Sequence, residues 1–156
     1  MSVTQNSFEY MKSMQGNEFG VSEWILIDQS KIDDFANLTG DNQFIHIDPD
    51  RAKKETEFGS TIAHGFLVLS LSTKFSADVF NFESEKRVSI NYGFDKVRFI
   101  SPVHVNSYVR GRFFLKRVDV NRPTELRQVY DLSIEIKGSD RPAVIAEWIT
   151  LTIYET

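Results

Sequence analysis

From Val88 onward the apolar residues of this chain recur at the period of a β-strand, and that constrains the fold more than any other feature. Val88, Ile90 and Tyr92 alternate with polar neighbours, the phase slips around Gly93–Lys96, and Val97 and Phe99 resume it. Successive strand side chains point to opposite faces, so period two marks a strand with one buried face. A glycine at a phase slip predicts a bulge or bend. Val103, Val105, Val109, Phe113 and Leu115 interleave with Asn106, Arg110, Arg112 and Lys116. Leu126, Tyr130, Leu132, Ile134 and Ile136 do the same with Arg127, Asp131, Ser133, Glu135 and Lys137. Residues 143–154 form a last strand, apolar on both faces through Val144, Ile145, Trp148, Ile149, Ile153 and Tyr154. Asp119–Glu125 and Gly138–Pro142 are turn-rich connections.

The first half reads differently. Phe8, Tyr10, Met11 and Met14 are spaced near a helical period, which predicts a short docking helix within residues 1–15, punctuated by Gly16 and Gly20. Trp24–Ile27 reads as a short strand. Ser30 is a suitable N-cap for a helix over 31–38, with Ile32, Phe35, Ala36 and Leu38 near one face and Gly40 as its stop. Residues 62–80 hold no Gly or Pro after Gly65, so length favours one helix, apolar around most of its circumference and buried. Helices first and antiparallel strands last suit an α+β domain with a long buried helix on a curved sheet.

At 156 residues the chain is expected to be one domain, 1–156, with a sizeable core. Its net charge of −4 disfavours nucleic-acid binding through a basic surface. It has no cysteine, which excludes a thiolate nucleophile, a disulfide framework and a cysteine metal site. No signal-peptide pattern opens the sequence and no stretch is long and apolar enough to span a membrane, so the cytoplasm is the expected compartment.

The chemistry concentrates in residues 35–52, F-A-N-L-T-G-D-N-Q-F-I-H-I-D-P-D-R-A, and in Ala63-His64-Gly65. Asp41 and His46 are five positions apart. On a helix that separation turns side chains about 140° from each other, and on a strand it puts them on opposite faces. They converge only if a loop brings them together, and the turn-favouring Asp41-Asn42 and Pro49 support one. A carboxylate and an imidazole flanking one water can activate it and deliver a proton. The plainer reading is a helix-terminal Asp and a packed core His.

Leu38-Thr39-Gly40-Asp41, Ile45-His46 and Ala52 resemble the signature of the MaoC-like (R)-specific enoyl-CoA hydratases. Ser22-Glu23-Trp24, Phe58 to Phe66, Asn91-Tyr92-Gly93 and Asp95 to Phe99 extend the likeness to the nodulation-protein-N branch over roughly residues 16–155. Gln43-Phe44 departs from the Asn-Pro of the wider pattern. The resemblance implies a hotdog fold, a homodimer whose sheets join, and hydration of trans-2-enoyl thioesters to (R)-3-hydroxyacyl products. It implies coenzyme A or acyl carrier protein as the acyl carrier, and no metal or bound organic cofactor. It assigns the acid–base pair to Asp41 and His46.

The N-terminus of the helix beginning near Ala63-His64-Gly65 presents unpaired N–H groups to a developing enolate oxygen, with Gly65 N–H as oxyanion donor. Gly65 equally serves close packing of helix against sheet. His64 is structural or ligand-lining, and Ser60 or Thr61 caps the helix. Asn42 and Gln43 orient water or thioester, or simply bond within the loop. Phe66, Leu69 and Phe99 line an apolar acyl tunnel. Lys96, Arg98, Arg110, Arg112, Lys116 and Arg117 fall mostly on a solvated strand face. Three rival functions follow from the same residues. They are a hotdog thioesterase, a non-catalytic acyl-thioester-binding protein, and an iron site in which His46 and Asp48 join His64 or His104.

Overall fold

The computed structural model describes residues 8–80 and 87–154. Helix α1 (Phe8–Ser13) leads into β1 (Asn17–Val21) and β2 (Ile25–Ile27). Three short helices and a broken fourth element follow: α2 (Gln29–Thr39), α3 (Phe44–Ile47) and α4 (Pro49–Glu55), then α5 (Gly65–Ser70) with α6 (Ser72–Val79). The long strands β3 (Arg87–Phe99), β4 (Ser107–Arg122), β5 (Glu125–Ile136) and β6 (Val144–Tyr154) complete the chain. The sheet is antiparallel throughout, in the order β1-β4-β5-β6-β3, with β2 also pairing with β4.

The α5–α6 unit lies on the inner face of this sheet. An α+β architecture of this kind is what the order of periodicities predicts. The packing is tight enough to dictate sequence: a Cβ on Gly111 of β4 would sit 2.8 Å from Phe75 Cβ of α6. Beneath the helix Phe80, Phe113, Tyr130 and Trp148 form an aromatic layer. Phe80 stacks on Tyr130 at 5.1 Å, and Phe113 meets Tyr130 edge-on at 6.2 Å. Trp148 Nε1 donates to Asn91 Oδ1 at 2.8 Å, tying β6 to β3. Met11 of α1 is buried in the same core, so the predicted docking helix does dock; residues 1–7 lie outside the described residues.

The phase slip in β3 is real. Its register with β6 shifts between Asn91 and Gly93 and again between Asp95 and Arg98. Lys96 there takes a positive φ of 54°. The predicted basic face is outside and largely ion-paired. Glu135 joins Arg110 and Arg112 at 2.7 and 2.6 Å, and Glu147 joins Lys116 and Lys96.

Several expectations need correction. The stretch 62–80 is not one helix. Ile62 is extended and bridges His104, the helix begins at Gly65, and it breaks at Leu71, where three carbonyls compete for one N–H. Nor is it apolar all round: Phe66, Ser70, Thr73, Lys74, Ala77 and Asp78 are exposed and only one face packs. Neither Ser60 nor Thr61 caps it; Ser60 Oγ contacts His104 Nδ1 and Thr61 Oγ1 donates to Gln29 Oε1. Asp28, not Ser30, caps α2, its carboxylate accepting from Lys31 N at 3.0 Å. Leu38 faces solvent, 83% exposed, because α2 buries only the Ile32–Ala36 stripe. Gly20 does not end a helix. It lies within β1, whose pairing with β4 slips between Glu18 and Gly20. Val103 and Val105 precede β4, which instead runs on to Arg122, so the predicted 119–125 connection narrows to Pro123-Thr124.

Candidate active site

The site is built from four consecutive pieces of backbone. Helix α2 ends where Gly40, at φ 78°, adopts the left-handed conformation and returns its N–H to Ala36 O at 2.8 Å. That cap turns the chain outward and leaves Asp41 in an exposed loop. Gln43 N approaches its Oδ1 only at 3.5 Å, so the carboxylate remains largely available to a ligand. One helical turn, α3, then carries His46 inward. Asp48 closes it and caps α4, accepting from Arg51 N at 3.0 Å with Pro49 in the first turn. Residues 41–46 are therefore loop followed by a single turn.

His46 is buried, 6% exposed. Its Nδ1 lies 2.7 Å from Ile62 O. A carbonyl only accepts, so Nδ1 carries the proton and Nε2 keeps its lone pair. The segment around Ile62 is itself fixed to α3, because Ile62 N donates to Ile45 O at 3.0 Å. Burial lowers the basicity of His46 below the ordinary imidazole value. The Ile62 carbonyl opposes this, charge on His64 adds to it, and Asp41 opposes it. The ring is a neutral base at neutral pH.

His64 stands on the far side of that ring. The two imidazoles stack at 3.8 Å with 25° between planes, and His64 Nε2 donates to Asp41 O at 2.9 Å. Asp41, His46 and His64 each bring one ligand-type atom within 4.8 Å of the others. Two hydrogen bonds of ordinary length to one water span about 4.6 Å, so a single water can bridge a carboxylate and an imidazole here. The same trio offers the donor types of a transition-metal site. It differs from the rival iron set weighed in the sequence, since Asp48 caps α4 and His104 Nδ1 contacts Ser60 Oγ.

Ala63 and Gly65 adjoin His46 in a cavity of about 240 Å³ whose apolar wall includes Val68, Phe99, Val103 and Val144. Ala63 N is taken by Val103 O at 2.8 Å. Gly65 opens α5, and a Cβ on it would sit 2.9 Å from Phe99 Cδ1 and Cε1. Phe66 turns away from this cavity; it is 70% exposed and meets Phe99 edge-on at 5.9 Å. With Leu69 it borders a separate open groove beside Phe35, Asn91 and Phe94. Asn42 and Gln43 lie exposed on the rim loop, Asn42 Nδ2 near Gly40 O at 3.5 Å. A larger cavity of about 370 Å³ lies under α6, bounded by Ser76, Asn91, Tyr130 and Trp148, away from Asp41 and His46.

One residue escapes sequence reasoning. Gln29 Nε2 donates to His46 O at 2.7 Å and to Asp33 Oδ1 at 2.8 Å, while its Oε1 accepts from Thr61 at 2.6 Å. It ties α2, α3 and the segment before α5 together. Nothing in its neighbours marks it, because its partners lie as far as thirty-two positions away.

Comparison with known proteins identifies the family and the fold. The MaoC like domain family matches residues 11–135. Nodulation protein N of Rhizobium meliloti (strain 1021) is 45% identical over 150 residues, 93% of this chain and 90% of that protein. The 3-hydroxyacyl-thioester dehydratase Z of Mycobacterium tuberculosis (strain H37Rv) is 38% identical over 146 residues, 94% of this chain and 95% of the relative. In fold, the (R)-hydratase from A. caviae involved in PHA biosynthesis superposes with a TM-score of 0.71 at 23% identity, covering 87% of this chain and 94% of the other. The α+β arrangement is thus the hotdog fold, and the chain belongs to the MaoC-like dehydratase family.

Proposed function

We propose that the protein reversibly adds water across the double bond of a trans-2-enoyl thioester to give the (R)-3-hydroxyacyl thioester. A hydro-lyase class follows from membership of the MaoC-like dehydratase family and from the dehydratase relative. The observation that carries the finer reading is the convergence of Asp41 on a tautomer-fixed, neutral His46 that borders an apolar cavity. Water held by the pair loses a proton as its oxygen bonds to C3. The C2=C3 π electrons move toward the thioester carbonyl, and the pair returns a proton to C2. One water supplies both the hydroxyl and the hydrogen, and Asp41 and His46 end as they began. Gly65 N–H, at the start of α5, faces the developing enolate oxygen. Asn42, Gln43 and Ala63 border the bound thioester, His64 lies buried behind the pair, and no metal or organic cofactor is required.

Coenzyme A or acyl carrier protein carries the acyl group, and the cytoplasm is the proposed compartment; among the described residues no helix is long and apolar enough to cross a membrane. A homodimer is proposed through β3. That strand ends the sheet, and it exposes Val88, Ile90 and Tyr92 at 57%, 42% and 61%, more apolar edge than a solvated strand presents.

The test is the fall in enone ultraviolet absorbance on mixing with crotonyl-CoA, with free thiol followed in parallel. Enone loss without thiol release is expected, with Asp41→Asn slower by about 10²- to 10⁴-fold and His46→Ala similarly impaired. Thiol release would make the protein a thioesterase. Silence across short and long acyl chains on either carrier would make it a binding protein.

A further inference from the structure

His64 holds a set of contacts that packing alone does not explain. It is 2% exposed, yet it lies at the N-cap of α5 with no capping bond from its side chain. Its Nε2 must carry hydrogen, because its partner at 2.9 Å is the carbonyl of Asp41. Its Nδ1 is then a bare lone pair, buried and without a partner. An apolar ring of the same shape would fill this space without stranding a polar atom, so the imidazole is retained for what Nε2 does. One face of the ring lies on His46 at 3.8 Å and it also meets Phe35 at 5.1 Å. Two residues earlier on the same segment, Ile62 O holds the edge of His46. The stretch Ile62–His64 therefore grips His46 by edge and by face while holding the loop that carries Asp41.

We infer that His64 is a positioning residue that locks Asp41 and His46 into one acid–base unit. Its Nε2–H fixes the Asp41 loop by the backbone, and its ring fixes the plane of His46. It does not touch the reacting atoms. Only the kinetic part of the test rests on the hydratase reading.

Two arms keep the two claims apart. The first needs no turnover: long-range ¹⁵N–¹H spectra of the wild-type side chains, with the three histidines assigned by substitution. The inference requires an Nε2–H tautomer for His64 and an Nδ1–H tautomer for His46; an Nδ1–H tautomer at His64 overturns it. The second arm compares His64→Gln, His64→Asn and His64→Phe on crotonyl-CoA. Gln places an N–H near the position of Nε2, whereas Asn places one near Nδ1. Phe keeps only the ring. His64→Phe should lower kcat about 10²-fold, the scale of a small misplacement, with KM within about 2-fold. Gln should recover most of that loss and Asn little; the reverse order overturns the assignment. In the Asp41→Asn background His64→Phe should cost nothing further, since both act through one unit. Losses that multiply would show His64 acting independently of Asp41. If the wild type turns over no enoyl thioester, the proposed function fails while the tautomers still decide the role of His64.

Discussion

Gly65→Ala separates two reasons for a glycine at the start of α5. The new methyl would lie 2.9 Å from two carbons of the Phe99 ring and 3.3 Å from a third. All three belong to the ring of a side chain that is 49% exposed, and that ring can swing toward solvent. The cost in stability therefore sits at the low end of overpacking, about 1 kcal/mol, and a residue better suited to helices than glycine offsets part of it. For a chain of this size the melting temperature should move by less than about 4 °C. Activity should respond far more. The substitution keeps the N–H and thrusts a methyl into the cavity beside His46, where the proposed thioester would approach the backbone. Loss of an oxyanion donor costs about 10²- to 10³-fold, or about 2.7–4 kcal/mol in the barrier. The assay is initial rate on crotonyl-CoA for wild type, Gly65→Ala, Phe99→Ala and the double variant. If close approach of substrate is what Gly65 serves, the double variant stays at least about 10²-fold below Phe99→Ala. Recovery of the double variant to the Phe99→Ala rate would refute the reasoning and leave Gly65 as a packing residue alone.

Other consequences are as direct. Gly111→Ala should lower stability by about 1–3 kcal/mol, or roughly 2–12 °C in melting temperature. The obstructing atom is Phe75 Cβ, so Phe75→Leu should fail to rescue it; a melt at or above wild type would contradict the contact. The acid limb of kcat/KM should fall below about pH 6.5, because burial lowers the proton affinity of His46, and a limb above that value would contradict a buried neutral base. The same shift makes folding weaken as pH drops. The unfolded chain takes up the proton first, so His46's contribution is intact above about 6.5 and is lost progressively down to its lower folded value, measurable as a denaturation midpoint that falls with pH. Ile90→Asp should convert the proposed dimer to monomer in size-exclusion light scattering, and a wild type that is already monomeric at about micromolar concentration would refute pairing through β3.

Strand existence was legible because a half-buried strand must alternate. Thus Leu126–Ile136 and the slip at Gly93 were both visible in the letters. The break at Leu71 was not, because it follows from competition among Leu67, Val68 and Leu69 carbonyls inside an uninterrupted apolar run. Residues 17–21 were unreadable for the opposite reason. They contain a glycine and are half exposed, and they become a strand only because β4, about a hundred positions on, offers partners. In the site, Asp41 and His46 stood out as chemistry-bearing types at a spacing that demanded a loop. Their supports did not. Gln29 and the carbonyls of Asp41 and Ile62 act through the backbone or across long sequence separations, and a backbone carbonyl has no letter.

The order of the pieces along the chain has a consequence for synthesis. Asp41, His46 and His64 have all emerged before Phe99, Val103 and Val144, which wall the cavity beside His46. The first strands likewise wait for β4. A nascent chain halted before β6 would carry Asp41, His46 and His64 without a surface to press them together. Closure of these distant pairings is the slow step expected of such a topology. Catalytic competence should therefore appear late, together with the last strand, and truncation near the C-terminus should abolish activity although it removes no residue of the acid–base pair.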